Sequence, residues 1–246
     1  MLIYTYDGTF EGFLCCVFQS YLRRERPANI ATTNGLQYRL EQELYPVQTV
    51  DEQWQRVRTG IHKKLGRLAW EKVRACFCAS NSSKELLLYH YLRQGFSRGS
   101  VALDDISHPD ILPIEDLYRS VGREQQHMIM FARFEKVPPG VYCATINPRH
   151  NVVPLIMDHF AARFNIQQFI IYDEVHHIAG ISEDGQWYLS AAEGLRFPDA
   201  DVDDHDYQHL WQIFYDAIAI PERHNEKRRQ QFMPKRLHKN ICELHL

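Results

Sequence analysis

The chain has 246 residues, 45% of them apolar and 24% charged, and its 31 acidic against 28 basic side chains give a formal charge of −3. This composition excludes a disordered or collagen-like chain and is long enough to bury a self-sufficient core. It also carries no global positive charge of the kind that draws a protein onto nucleic acid, so any such contact must be a local patch.

Residues 1–6 (MLIYTY) are β-prone and end at the turn dipeptide Asp7-Gly8. Phe10, Phe13, Leu14, Val17, Phe18, Tyr21 and Leu22 then follow helical spacing, with Arg23, Arg24 and Arg26 at the end and Pro27 beyond. Residues 28–50 read as loop and short strands, and 51–79 as one or two helices. Residues 82–96 predict another helix capped by Ser82 or Ser83, and 99–113 a polar connector. HMIMFARFEK (127–136) and GVYCATIN (140–147) are strand candidates joined by Val137-Pro138-Pro139-Gly140. NVVPLIMDHFAARF (151–164) predicts a helix. QQFIIYDE (167–174), HHIAGISE (176–183) and QWYLSAA (186–192) predict three strands, and residues 205–220 a further helix.

The fold expected is therefore α+β, with a largely helical N-terminal half, an antiparallel sheet in the order β-β-α-β-β-β in the second half, and a helical C-terminus. It reads as one domain over 1–246, divisible into a mainly helical 1–112 and a 113–246 part holding the sheet and the C-terminal helices. No apolar stretch approaches the roughly 20 residues of a membrane span, and the N-terminus lacks the basic, apolar and small-residue pattern of a secretion signal. A cytoplasmic protein with no membrane contact is expected. The six cysteines, Cys15, Cys16, Cys76, Cys78, Cys143 and Cys242, form no CxxC pair. They read as reduced, mostly buried thiols, with no metal site and no cofactor.

Residues 223–239 hold Arg223, Lys227, Arg228, Arg229, Lys235, Arg236 and Lys239 against Glu226 alone, a local charge near +6. Clustered cations of this kind suit phosphates, whose neutralisation releases counterions, and equally fit a solvated helix end. The acidic run Asp199, Asp201, Asp203, Asp204 and Asp206 lacks the calcium-loop spacing and reads as a solvated loop. Asp158-His159, Asp173-Glu174 and His176-His177 are the densest group of acid/base residues, although His176 and His177 would point to opposite faces of a regular strand. Gly12, in the first turn of the opening helix, costs roughly 1 kcal/mol relative to alanine. It either permits close packing, with Thr9 as cap and Glu11 complementing the helix dipole, or leaves room for a ligand.

Tyr6-Asp7-Gly8-Thr9-Phe10-Glu11-Gly12-Phe13-Leu14 with Val17-Phe18 resembles the opening signature of an uncharacterised bacterial family of DNA metabolism or DNA repair proteins. Glu124 with Phe131, Arg133 and Phe134 resembles that family's central glutamate and Phe-x-Arg-Phe segment. Asn151-Val152-Val153 with Leu155, His159-Phe160 and Arg163-Phe164 resembles its next helix, Asp173 its strand-ending aspartate, and Met233-Pro234-Lys235-Arg236 its closing motif. The chain departs from the pattern at Gln126 and His127, where the family carries a histidine and a basic residue, and at His176, where it carries arginine.

Members are typically encoded beside a radical SAM protein, and a related domain is fused to iron-sulfur uracil-DNA glycosylases. The resemblance implies an accessory protein that binds or presents nucleic acid to a radical SAM partner. Arg133, Lys227, Arg228, Arg229, Lys235 and Arg236 would contact nucleic acid, joined by Arg23 and Arg24. The alternative is a base- or nucleotide-acting hydrolase or lyase using Asp7, Glu11, Glu124 and Asp173, with His127, Asp158 and His159 in the wider pool. A third reading is a scaffold without direct DNA contact.

Overall fold

The computed structural model describes residues 1–33, 41–138, 140–197 and Leu237. The chain divides into two units, Met1–Val121 and Gly122–Leu246.

In the first unit, strand β1 (Leu2–Tyr6) lies between β2 (Asn29–Thr32) and β3 (Glu43–Pro46), all three parallel, in the order β2-β1-β3. Ile3, Tyr4 and Tyr6 are buried, as befits a central parallel strand covered on both faces. The apolar period after Gly8 forms helix α1 (Phe10–Leu22), in which Phe13, Leu14, Cys15, Cys16 and Val17 have no exposed surface. Each large side chain removed from water in this way contributes on the order of 1.5–3 kcal/mol. Helices α2 (Asp51–Lys64), α3 (Arg67–Phe77) and α4 (Lys84–Arg98) complete the core with Ile61, Val73, Leu88 and Leu92, and a 3₁₀ turn covers Ser100–Asp104. Helix α5 (Leu112–Phe131) contributes residues to both units. In the first unit its Glu115 forms a largely buried ion pair with Lys72 of α3.

The second unit contains β4 (Glu135–Val137), β5 (Val141–Ile146), helix α6 (Val153–Phe164), β6 (Phe169–Asp173), β7 (Ile178–Glu183) and β8 (Gln186–Ala191), a sheet in the order β4-β5-β6-β7-β8. Helix α6 packs on β7 where Gly180 permits it: a Cβ there would lie 2.3 Å from Met157 Sδ and 2.9 Å from Val153 Cγ1.

The α+β class and the β-β-α-β-β-β order hold. The sheet is mixed rather than antiparallel, because β5 and β6 run parallel, Tyr142 opposite Phe169 through Ile146 opposite Asp173, with α6 as the crossover. The strand expected over 127–136 is a second correction: the chain stays helical to Phe131 and only Glu135–Val137 is strand. Ile114, Leu117, Val121 and Met128 are buried at helical spacing, and this period extends into the apolar run Met128–Phe131 that resembles a strand when read alone. The helical C-terminus expected over 205–220 lies outside the described residues.

Cys15, Cys16, Cys76, Cys78 and Cys143 are free thiols, and Cys242 lies outside the described residues. Burial pushes Cys76 up to about 12 and Cys78 and Cys143 up to about 11, so these thiols stay protonated and poorly nucleophilic. Among the described residues no helix is long and apolar enough to cross a membrane.

Candidate functional site

Open sheets with parallel strands bind ligands outside the carboxyl ends of those strands, where connections diverge to the two sides. The chain passes from β1 to β2 on one side and reaches β3 on the other, so the first unit's divergence point lies between the ends of β1 and β3. Asp7 occupies it. Gly8, at φ +86, turns the chain there, and Asp7 Oδ1 accepts hydrogen bonds from Thr9 N at 2.9 Å and Thr9 Oγ1 at 2.6 Å. Asp7 Oδ2 accepts from Thr49 Oγ1 at 2.7 Å, which ties the end of β1 to the segment after β3. Thr9 Oγ1 in turn accepts from Gly12 N at 2.9 Å and caps α1.

Gly12 is required by this cluster, since a Cβ would stand 2.3 Å from Asp7 Oδ1. The close-packing reading of Gly12 is therefore the one the geometry supports. Glu11 lies partly exposed in the first turn of α1, where a carboxylate complements the helix dipole. Just below, the buried Tyr6 hydroxyl donates to Glu85 of α4 at 3.0 Å.

Partial burial pushes the Asp7 carboxyl up, but the hydrogen bonds from Thr9 and Thr49 outweigh it and hold the pKa below the usual value. A carboxylate depressed on folding contributes stability above its unfolded pKa, near pH 4, and loses it as pH falls through the folded value. Asp7→Asn should therefore flatten the fall in stability below about pH 4, read by denaturant midpoints at a series of pH values.

The corresponding edge of the second unit is built from the ends of β5 and β6 and the loop 147–152 that leads into α6. The polar run Asn147-Pro148-Arg149-His150-Asn151 leaves β5 there. Glu124 of α5, 5% exposed, accepts a hydrogen bond from the Arg149 backbone N–H at 2.7 Å. Asp173 closes β6 with no exposed surface. Its Oδ1 accepts from the N–H groups of Val175 at 2.8 Å and His176 at 3.0 Å, and its Oδ2 lies 2.6 Å from His176 Nδ1. The turn after β6 is thus folded around a buried carboxylate that also orients an imidazole. Arg149 is exposed and, among the described residues, has no carboxylate partner.

Four expected catalytic carboxylates thus fall on two edges, Asp7 and Glu11 in the first unit, Glu124 and Asp173 in the second. Asp158 is elsewhere on α6, accepting a hydrogen bond from Trp187 Nε1 of β8 at 2.8 Å, and exposed His159 meets the ring of Phe160 edge-on. Arg133 Nη1 donates to the carbonyls of Met130 and Ala132. Arg23 is held by Glu25 through Nε at 2.8 Å and Nη2 at 3.0 Å. Lys227, Arg228, Arg229, Lys235 and Arg236 lie outside the described residues, as does the acidic run from Asp199. Among the described residues no three His, Cys, Asp or Glu side chains are grouped so that they could hold a metal ion. Sequence reasoning missed Arg149; the available signal was a polar Asn-Pro-Arg-His-Asn run directly after a strand and before a helix with proline in its first turn.

No curated protein and no solved structure matches the chain. A family model described as a domain of unknown function, DUF4130, matches residues 82–243, from the residues just before α4 to beyond β8. With well over half of its length matched, the chain belongs to the DUF4130 family.

Proposed function

We propose that this protein is a nucleic-acid-binding component of DNA metabolism that presents its ligand to a radical SAM partner, with the loop 147–152 as one of its contacts. The observation that carries this reading is the seating of Arg149. A buried carboxylate, Glu124, holds its backbone at the carboxyl edge of two parallel strands, while its guanidinium stays exposed without a carboxylate partner among the described residues. Fixed backbone with a free guanidinium suits a phosphate, which arginine meets with a planar pair of donors. The basic segment 223–239 and the likeness to a family of DNA metabolism proteins support the same reading. So does the engagement of Asp7, Glu124 and Asp173 in backbone and hydroxyl hydrogen bonds, which gives these acids structural work.

Affinity for DNA should fall steeply with salt. Arg149→Ala should lower the slope of log affinity against log salt by about one, and changing Arg228, Arg229, Lys235 and Arg236 to alanine should remove most of what remains. Absence of binding to both single- and double-stranded DNA at low salt would sink the proposal.

The Asp173–His176 pair favours a second reading, a base- or nucleotide-acting hydrolase, because a buried carboxylate bonded to Nδ1 fixes an imidazole in one orientation for acid/base work. Release of a free base from an oligonucleotide, abolished in His176→Asn, would decide for it.

A further inference from the structure

The first unit carries a second basic surface, at the C-terminal end of α1. The helix closes with hydrogen bonds from Glu25 N to Ser20 O at 3.0 Å and from Arg24 N to Tyr21 O at 3.3 Å. This is a Schellman-type ending, and its left-handed position, normally given to glycine, is held by Arg24 at φ 57. An arginine here accepts backbone strain that glycine would relieve. Among residues 23–26 the one carboxylate, Glu25, is occupied by Arg23 and by the Tyr4 hydroxyl at 3.0 Å. Arg24 and Arg26 are exposed and, among the described residues, have no carboxylate partner.

The same helix end carries an exposed aromatic ring, and further guanidinium groups lie over the rings of α1. Tyr21 is 43% exposed beside Leu22 at 64%. The Arg93 guanidinium of α4 lies 5.0 Å from the centre of the Tyr21 ring, Arg56 of α2 lies 5.8 Å from that of Phe18, and Phe96 meets Tyr21 edge-on at 6.0 Å. Burial pushes the pKa of the Tyr21 hydroxyl up, with the charges of Arg93 and Arg26 opposing it. An acidic peptide would satisfy the guanidinium groups but leave the exposed ring in water. A single strand of nucleic acid offers phosphates to the first and base faces to the second.

We propose that this surface binds single-stranded nucleic acid, with Tyr21 stacking on a base and Arg24, Arg26 and Arg93 holding the adjacent phosphates. The proposal rests on the nucleic-acid reading above and assigns a contact in the other unit.

The test is fluorescence anisotropy of a labelled oligothymidylate with the full chain across a salt series. Arg24→Gly with Arg26→Ala should lower the salt slope by about 1.4, the single-strand value for two phosphate contacts, and Tyr21→Ala should weaken binding about tenfold at fixed salt. Arg24→Gly alone should weaken binding while leaving the unfolding midpoint equal or higher, which a merely structural arginine would not do.

Wild-type affinity and slope in all these variants, with Arg149→Ala still impaired, would overturn this surface and leave the first proposal standing. Polyglutamate binding as tightly as oligothymidylate at equal charge would reassign the surface to acidic proteins and overturn it as well. A wild-type chain that binds no oligothymidylate at low salt overturns it, and the fate of the broader reading then turns on the duplex measurement.

Discussion

Gly12→Ala should destabilise the protein by about 1–3 kcal/mol, the range for overpacking a filled site, even though alanine is the better helix former by roughly 1 kcal/mol. The added Cβ would stand 2.3 Å from Asp7 Oδ1, 2.9 Å from Thr49 Oγ1 and 3.0 Å from Thr9 Oγ1. The Asp7 carboxylate cannot retreat without surrendering the hydrogen bonds from Thr9 and Thr49 that define the turn. The worst of the clash therefore needs Asp7 to be present, and without its carboxylate the Thr49 hydroxyl is released to turn away. In an Asp7→Ala background the same glycine substitution should cost far less or become stabilising, and a double-mutant cycle by chemical denaturation measures the coupling. A more stable Gly12→Ala single variant would show that the carboxylate moves freely and that the cluster is not a structural unit.

That glycine marks where sequence reading reaches its limit. Its place in the first turn of α1 follows from apolar spacing, and the cost of a helical glycine from propensity, but neither distinguishes a packing role from ligand room. The deciding contact is with Asp7 Oδ1, and the carboxylate is pinned there in part by Thr49, brought alongside by the pairing of β1 with β3. Long-range pairing leaves no local trace in composition.

The same reason explains the second sheet. Each of β5, β6, β7 and β8 is legible from its short apolar run and turn residues, whereas the parallel alignment of β5 with β6 depends on α6 serving as a crossover. At α5 the local reading failed differently: Met128–Phe131 looks like a buried strand until Leu117 and Val121 are counted as earlier turns of one helix. For the second unit's edge, the acidic members Glu124 and Asp173 were visible through family likeness, but their work was not. The backbone N–H groups they accept from belong to loops whose course the sequence leaves open.

Asp173→Ala should be the most damaging of these substitutions, costing about 3 kcal/mol or more. It removes a side chain with no exposed surface and strands two backbone donors, Val175 N and His176 N, together with the His176 ring. Asp173→Asn keeps Oδ1 as acceptor for both N–H groups. It places a donor where Oδ2 faced His176 Nδ1, so that contact survives only when Nδ1 carries no proton. The expected order of stability is wild type, then asparagine, then alanine, with native-state hydrogen exchange at the amides of Val175 and His176 faster in the same order. If Asp173 works only through this turn, the asparagine chain retains oligonucleotide affinity in proportion to its folded fraction. If the pair performs acid/base chemistry, base release falls far more in asparagine than the modest rise in exchange at those two amides accounts for, and the same variant thus separates the binding protein from the enzyme.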